Sequence, residues 1–216
     1  MRDLRRKRSA AISTLLNPLM MLSGAAAAAE PTHIVALGDS ITHGEGVSLD
    51  EAFPAQLEKM LRADGFNVQV INAGVDGDTT DRMLMRVNTV IAPGTKIVIV
   101  QGGRNDFMSL QHSLSVQQSE ANIISIVSQL RAQRLRAVLC GGPNRAAIAR
   151  DYGATLVSCS GDHHFVDGLH PDATGHRIIA GRLLPVIEGL LTETSSTNGA
   201  MPPQRNDVRP PRPESR

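Results

Sequence analysis

The stretch Ile34–Gly46 reads IVALGDSITHGEG, and it indicates most clearly which kind of fold this chain adopts. Its first four residues, Ile34–Leu37, are apolar and stop at Gly38, which is typical of a strand buried on both faces. Gly38, Asp39 and Ser40 then place a tight turn and one hydroxyl at the carboxyl end of that strand, where open α/β sheets bind ligands. A serine in this position is also an ordinary helix N-cap, so its role depends on what other stretches bring to the same edge.

Strands and helices alternate along the rest of the chain. Four further apolar runs predict strands, at Val68–Ile71, Lys96–Val100, Ala137–Cys140 and Thr155–Ser158. Apolar residues at helical spacing lie between the runs, and the first of these helices has Ser48 and Glu51 at the spacing of a capping box. This alternation predicts a three-layer α/β/α domain with a five-stranded parallel sheet.

Both ends of the chain differ in composition from its middle. Residues 1–29 combine a basic start, an apolar run and a stretch of alanines, which predicts an export signal that is cut after Ala29. From Thr192 to Arg216 there are five prolines and four arginines but few apolar residues, which predicts a flexible tail. Residues 30–191 are then the right size for one domain with one core, and the protein is expected to be periplasmic or secreted.

The charge balance argues against a nucleic-acid partner. Without residues 1–29 the formal net charge moves from +1 to −3, whereas a surface that binds nucleic acid is strongly basic. The arginines of the tail leave transient contact with membrane lipid or cell-wall polymer open. The sequence does not set the oligomeric state, and a monomer is expected.

The chain has two cysteines, Cys140 and Cys159, and each lies near the end of a predicted strand. They could pair in an exported protein, or they could remain two buried free thiols. Both alternatives stay open, because spacing along the chain does not give the distance between their Cα atoms.

Each candidate reactive residue lies just after a predicted strand. Ser40 follows the first strand, Gly77 the second and Asn105 the third, while Asp167 and His170 follow the fifth. Because the carboxyl ends of parallel strands share one edge, these residues are expected to meet in one crevice. There His170 can take the proton of the Ser40 hydroxyl while Asp167 orients the imidazole. The backbone N–H groups of Ser40 and Gly77 and the amide of Asn105 suit a tetrahedral oxyanion.

Four motifs carry a resemblance to a known family. They are GDS at Gly38–Ser40, GDT at Gly77–Thr79, GRND at Gly103–Asp106 and DGLHP at Asp167–Pro171. In this order they resemble the nucleophile, oxyanion-glycine, GxND and DxxH blocks of the SGNH or GDSL hydrolases. Within that family the chain is most similar to exported bacterial esterases of the lysophospholipase, arylesterase and acyl-CoA thioesterase type.

The resemblance implies a reaction and a set of roles. Ser40 would be the nucleophile, His170 the base and Asp167 its orienting partner, and Ser40, Gly77 and Asn105 would form the oxyanion hole. The resemblance also implies a flavodoxin-like sheet and the hydrolysis of small-molecule carboxylic esters or thioesters, with neither a metal nor an organic cofactor. The segment before the DGLHP motif is shorter than in many relatives, which leaves the preferred acyl length open and predicts an open, shallow cleft.

Other functions stay open on the sequence alone. The loop GDSITHGEG has the glycines of a phosphate-binding loop but lacks the lysine and spacing of a P-loop. A metal-dependent hydrolase is a second alternative, whose candidate zinc ligands are Asp162, His163, His164, Asp167 and His170. A noncatalytic wall-binding module is a third, although the chain has no Trp and one Tyr to stack on sugars. Deacetylation of a polymer or carbohydrate is a fourth, since an acetyl group needs no aromatic platform.

Overall fold

The computed structural model describes residues 30–108, 113–159 and 164–196. Its strands are β1 (Thr32–Gly38), β2 (Val68–Gly74), β3 (Thr95–Gln101), β4 (Arg136–Cys140) and β5 (Thr155–Val157). They form one five-stranded sheet in the order β2-β1-β3-β4-β5, and every neighbouring pair is parallel. The strands predicted from the apolar runs are therefore confirmed, with ends that differ by at most three residues.

Helices cover both faces of this sheet. In the described residues they are α1 (Ser40–His43), α2 (Phe53–Ala63), α3 (Thr80–Arg86), α4 (Val116–Ala132), α5 (Ala146–Tyr152) and α6 (Ala173–Ser196). Helices α2 and α6 pack on one face of the sheet, and α3, α4 and α5 pack on the other. The three-layer α/β/α architecture is thus as predicted.

Alternate residues of β1 supply the two cores. Ile34 and Ala36 pack with α2 and α6, whereas Val35 and Leu37 pack with the helices of the opposite face. All four side chains are fully buried. Successive strand residues point to opposite faces, so a strand covered on both sides needs an unbroken apolar run.

Two boundaries differ from those expected. Ser48 N–H donates to the Glu51 carboxylate at 3.1 Å, but this pair closes a turn and helix α2 begins only at Phe53. At the other end α6 continues to Ser196, so residues 192–196 are helical although their composition predicted a flexible tail. The predicted export signal and the rest of the tail lie outside the described residues.

A disulfide joins Cys140 and Cys159, whose Cα atoms are 5.3 Å apart. Cys140 ends β4, and Cys159 follows the neighbouring strand β5 by two residues. Adjacent parallel strands bring their carboxyl ends together, which places both residues within bonding range. Of the two alternatives that the sequence left open, pairing is therefore observed and the free thiols are not.

A buried histidine links α6 to the start of α2. His176 is fully buried, and its Nδ1 accepts the backbone N–H of Phe53 at 3.2 Å. That N–H belongs to the first turn of α2 and has no partner within the helix. Burial lowers the pKa of His176 from its ordinary value of 6.5 to about 4, against the opposing charges of Asp172 and Glu51.

We expect the pKa of His176 to make the free energy of unfolding depend on pH. Between about pH 6.5 and 4 the unfolded chain binds a proton at this histidine and the folded chain does not. The contribution of the neutral His176 to the free energy of unfolding is therefore fully present above pH 6.5, and it declines as the pH falls towards 4. The urea midpoint of unfolding should fall by more between pH 7 and pH 4.5 in the wild type than in His176→Gln. The glutamine keeps a hydrogen-bond acceptor for the Phe53 N–H. Equal falls in the two proteins would contradict this assignment.

Candidate active site

Three of the residues selected from the sequence form one hydrogen-bonded chain at the carboxyl edge of the sheet. The Oγ of Ser40 lies 3.1 Å from Nε2 of His170, and Nδ1 of His170 lies 2.7 Å from the Asp167 carboxylate. Ser40 and His170 are 130 residues apart in the sequence. A hydroxyl, an imidazole and a carboxylate in this order are the groups that serine-dependent acyl transfer requires.

A buried carboxylate holds the turn that carries Ser40. Asp39 is 2% exposed and accepts the N–H of Ile41 at 3.0 Å, capping α1. Burial raises the pKa of Asp39 above its ordinary value, partly offset by this hydrogen bond. A Cβ on Gly38 would lie 2.1 Å from Oγ1 of Thr42. The strand can therefore pass this close to α1 only because residue 38 is a glycine.

Gln101, at the end of β3, anchors α1 from the neighbouring strand. Its Oε1 accepts the Thr42 hydroxyl at 2.7 Å in the buried space behind Ser40, and its side chain also bonds to Asp39. The role of Gln101 could not be predicted from the sequence, because a glutamine before GGRND belongs to no motif. Its contacts tie the nucleophile's helix to the sheet.

The DGLHP turn fixes the carboxylate that faces His170. Gly168 has a φ of +80°, a conformation that favours glycine. In this turn the Asp167 carboxylate accepts the backbone N–H of His170 at 2.7 Å and that of Leu169 at 2.9 Å. These bonds, together with the His170 ring, hold the pKa of Asp167 far below its ordinary value. Asp167 is therefore charged at neutral pH and can stabilise a protonated imidazole.

The two remaining oxyanion candidates lie on neighbouring loops. Gly77 has a φ of +69°, and no atom lies within 4 Å of the position that a Cβ would occupy there. The Nδ2 of Asn105 donates one hydrogen bond to the Asp78 carbonyl at 2.9 Å. An amide nitrogen has two hydrogens, so this bond orients the Asn105 side chain and leaves its second N–H for a ligand.

Asp106, which is buried, and Arg86, which is partly buried, support these loops, although the sequence indicated no such role for either. Asp106 is fully buried and accepts the N–H and the hydroxyl of Thr80, both at 2.8 Å. Arg86 donates to the carbonyls of Gly38 and Ala73 and to the Asp78 carboxylate at 2.8–2.9 Å. In the sequence, Arg86 resembles any solvent-exposed arginine of an amphipathic helix, so its contacts with Gly38, Ala73 and Asp78 could not be predicted.

Asn105→Ala is expected to lower kcat by about 10²-fold to 10³-fold with little change in KM, because an oxyanion donor acts mainly in the transition state. Ester hydrolysis measured over a range of substrate concentrations separates the two constants. Asn88→Ala is a matched control, since the Asn88 amide bonds to Gln129 on the protein surface. An Asn105→Ala protein that folds and changes only in KM would contradict the oxyanion role.

The metal alternative rests on residues that the structure describes only in part. Asp162 and His163 lie outside the described residues, and the imidazole of His170 is bonded to Asp167 and Ser40. In the described ranges one other group of potential ligands lies close together, comprising His43, Glu45 and Asp76. Its members are partly or fully exposed, and His43 Nδ1 already bonds to Asp76 at 2.6 Å.

Residues 36–178 match the model of the GDSL-like lipase/acylhydrolase family. Esterase TesA of Pseudomonas aeruginosa is 26% identical over an aligned length of 181 residues, and the alignment covers 73% of this chain and 89% of that protein. The Escherichia coli protein named thioesterase 1/protease 1/lysophospholipase L1 is 29% identical over 122 residues, which are 56% of this chain and 55% of the relative.

A solved structure is also similar to this chain. The crystal structure of AlinE4, an SGNH-hydrolase family esterase, is 28% identical and superposes with a TM-score of 0.57. The match covers 81% of this chain and all of that one. The residues that match the family model, 36–178, run from the last part of β1 through β5 and include all four sequence motifs.

Proposed function

The chain belongs to the GDSL-like lipase/acylhydrolase family and is a serine ester hydrolase, and we propose that Ser40, His170 and Asp167 carry out its reaction. The observation that supports this assignment most strongly is the hydrogen-bonded chain from the Ser40 hydroxyl through His170 to a charged Asp167. Ser40, Gly77 and Asn105 supply the donors of the oxyanion hole. No metal and no organic cofactor takes part.

The reaction follows from these positions. His170 Nε2 accepts the Ser40 proton as Oγ attacks the carbonyl carbon of the ester. The negative charge that develops on the carbonyl oxygen is stabilised by the N–H donors of Ser40, Gly77 and Asn105. His170 then gives the proton to the departing alcohol or thiol, which leaves an acyl-enzyme. Water, deprotonated by His170, hydrolyses that ester and restores the Ser40 hydroxyl.

The substrates we propose are small carboxylic esters or thioesters, among them short-acyl or aryl esters, lysophospholipids and acyl thioesters. The names of the relatives include an esterase and a thioesterase/lysophospholipase, which supports this range. Family membership does not favour the alternatives, namely metal-dependent hydrolysis, phosphate binding, polymer deacetylation and noncatalytic wall binding.

We propose further that residues 1–29 direct export and that the catalytic domain acts in the periplasm or outside the cell. Among the described residues no helix is both long and apolar enough to cross a bilayer. The basic n-region, apolar run and alanines of the amino terminus support export. We also propose that the protein is a monomer and that its tail makes transient contacts with membrane lipid or cell-wall polymer.

A panel of esters and acyl-CoA thioesters of increasing acyl length tests the function. We expect turnover of short-chain substrates that survives exhaustive treatment with a chelator, since Ser40 and His170 need no metal. Loss of turnover after chelation, with recovery on adding zinc, would contradict the proposal and favour a metal-dependent hydrolase. Turnover of acetylated polymers alone would favour the deacetylase.

A further inference from the structure

The last glycine of the stretch Ile34–Gly46 lies against a valine close to the proposed base. Gly46 has a φ of +85°, and the three atoms nearest to a Cβ built on it all belong to Val166. The nearest, Cγ2, would lie 2.6 Å from that Cβ, and the Cβ of Val166 would lie 3.5 Å from it. Carbon atoms in contact normally lie about 3.5–4.0 Å apart. The Val166 side chain therefore occupies the space that a side chain at position 46 would need.

Backbone hydrogen bonds hold Gly46 close to the proposed nucleophile. The Ser40 carbonyl accepts the N–H of Gly44 at 2.9 Å and that of Glu45 at 3.0 Å. The Val47 N–H then donates to the Gly44 carbonyl at 3.1 Å. Because these bonds fold the backbone tightly after Ser40, Gly46 cannot shift far without shifting Ser40.

Val166 is linked in a similar way to the proposed base. Residues 164–172 form a short hairpin, here called the base hairpin, which carries His170. The Val166 N–H donates to the His170 carbonyl at 2.9 Å. Nearer the ends of the hairpin, the Asp172 N–H donates to the His164 carbonyl at 2.9 Å. A displacement of Val166 is therefore transmitted directly to the backbone of His170.

These contacts form a closed ring that contains the proposed nucleophile and base. Ser40 is linked to Gly46 through the folded backbone, and His170 is linked to Val166 across the base hairpin. The contact of Ser40 Oγ with His170 Nε2 at 3.1 Å closes the ring on one side. The packing of Val166 on Gly46 closes it on the other side. The size of the groups at this packed contact therefore helps to set the distance between the imidazole and the hydroxyl.

Rotation of the Val166 side chain does not readily make room at this contact. Val166 has two methyl groups, so two of its three staggered χ1 positions place one of them against Gly46. A β-branched side chain is also stiff at χ1. A side chain at position 46 would therefore push the base hairpin away from Ser40.

The packing of Val166 on Gly46 buries little apolar surface. Val166 is 49% exposed, and Gly46 is exposed as well. A change at this contact should therefore alter the distance from Ser40 to His170 more than it alters the free energy of unfolding. In an active site, a misplacement of about 1 Å can lower the rate by about 10²-fold.

We propose that Val166 is a positioning residue, which packs on Gly46 and thereby holds the base hairpin where His170 Nε2 meets the Ser40 hydroxyl. This inference rests on the proposed function, in which Val166 acts through His170. The arrangement requires the valine at position 166 and equally requires that position 46 carries no side chain.

A comparison of Gly46→Ala with Gly65→Ala tests the proposal. The two glycines have similar φ values, +85° and +90°, but no atom lies within 4 Å of a Cβ built on Gly65, which follows α2. Both variants should lose stability through backbone strain. Only Gly46→Ala should lower kcat/KM for 4-nitrophenyl acetate, by about 10²-fold. Equal kcat/KM values in the two variants would overturn the proposal.

Val166→Ala supplies the compensating change. By itself it removes the methyl groups that rest on Gly46, and it should lower kcat/KM by a smaller factor because the base hairpin is no longer held at one distance. In Gly46→Ala/Val166→Ala the two Cβ atoms would lie 3.5 Å apart, an ordinary contact. The kcat/KM of this double variant should therefore exceed that of Gly46→Ala by about tenfold.

Val166→Thr is the conservative variant, since threonine has the shape of valine and position 166 is exposed. It should keep the wild-type kcat/KM. Losses that multiply in the double variant, or a Val166→Thr protein that loses as much as Val166→Ala, would overturn the positioning role. If Gly46→Ala fails to fold, the comparison of the two Val166 variants decides alone.

Crystal structures of the variants separate this contact from the proposed function, because a distance does not depend on turnover. Ser40 Oγ and His170 Nε2 should lie beyond hydrogen-bonding distance in Gly46→Ala and return to about 3.1 Å in the double variant. These distances in a protein whose wild type hydrolyses no ester would reject the function and keep the positioning contact. Ester hydrolysis by the wild type with an unchanged distance in Gly46→Ala would reject the contact and keep the function.

Discussion

Replacing Ser40 by alanine is expected to lower kcat/KM for 4-nitrophenyl acetate by about 10⁴-fold to 10⁶-fold. Alanine has no oxygen to form the acyl-enzyme, so His170 has no proton to accept. The cap on α1 uses the Asp39 carboxylate and the Ile41 backbone, so the fold does not depend on the Ser40 side chain. The measurement is turnover together with the unfolding temperature, which should stay at the wild-type value.

Ser125→Ala is the matched control for this variant. The Ser125 hydroxyl donates to the Ala121 carbonyl at 2.8 Å on α4, away from the site, and its removal should leave turnover unchanged. A Ser40→Ala protein that is folded and retains a tenth or more of wild-type turnover would contradict the role of Ser40.

The second large effect is expected for His170→Ala, which should also lose about 10⁴-fold or more in kcat/KM. The imidazole Nε2 lies 3.1 Å from Ser40 Oγ. Without it, the Ser40 proton has no acceptor and the leaving group has no proton donor. Asp167 does not replace it, because the hydrogen bonds that lower its pKa make its carboxylate a weak base. Turnover of 4-nitrophenyl acetate over a range of substrate concentrations, with circular dichroism as a check of folding, measures the loss.

His164→Ala is the control for the second prediction. His164 lies in the same loop, and its Nδ1 is 4.0 Å from the Asp172 carboxylate, with no contact to Ser40 among the described residues. It should retain near-wild-type turnover. Because His164 also belongs to the cluster that a metal site would use, equal losses in the two variants would favour metal ligation over the serine mechanism.

The sheet and the meeting of Ser40, Asp167 and His170 could be predicted, because both depend on periodicity and strand order. The run Ile34–Leu37 can be covered on both faces only in the middle of a parallel sheet. Once the strands are parallel, residues that follow them share one edge whatever their separation in the sequence. Sequence patterns of a few residues are therefore enough to predict that side chains distant in the sequence meet.

The supporting contacts could not be predicted, because they depend on burial and on close approach. Arg86 cross-links β1, β2 and the loop that follows β2, yet in the sequence it resembles any solvent-exposed arginine. Gln101 reaches Thr42 from another strand, at a distance that only the fold sets. The Cys140–Cys159 pairing stayed open for the same reason. The Ser48–Glu51 contact formed as its spacing suggested, but it closes a turn before α2.

A covalent fluorophosphonate probe, mapped by mass spectrometry, tests the central assignment most directly. In the wild type, Ser40 Oγ should attack phosphorus and expel fluoride while His170 accepts the hydroxyl proton, so that the added mass lies on the peptide containing Ser40. Labelling should be strongly slowed in His170→Ala. A label on any other residue, or persistent ester hydrolysis in a protein whose Ser40 is never labelled, would contradict the role of Ser40 as the nucleophile.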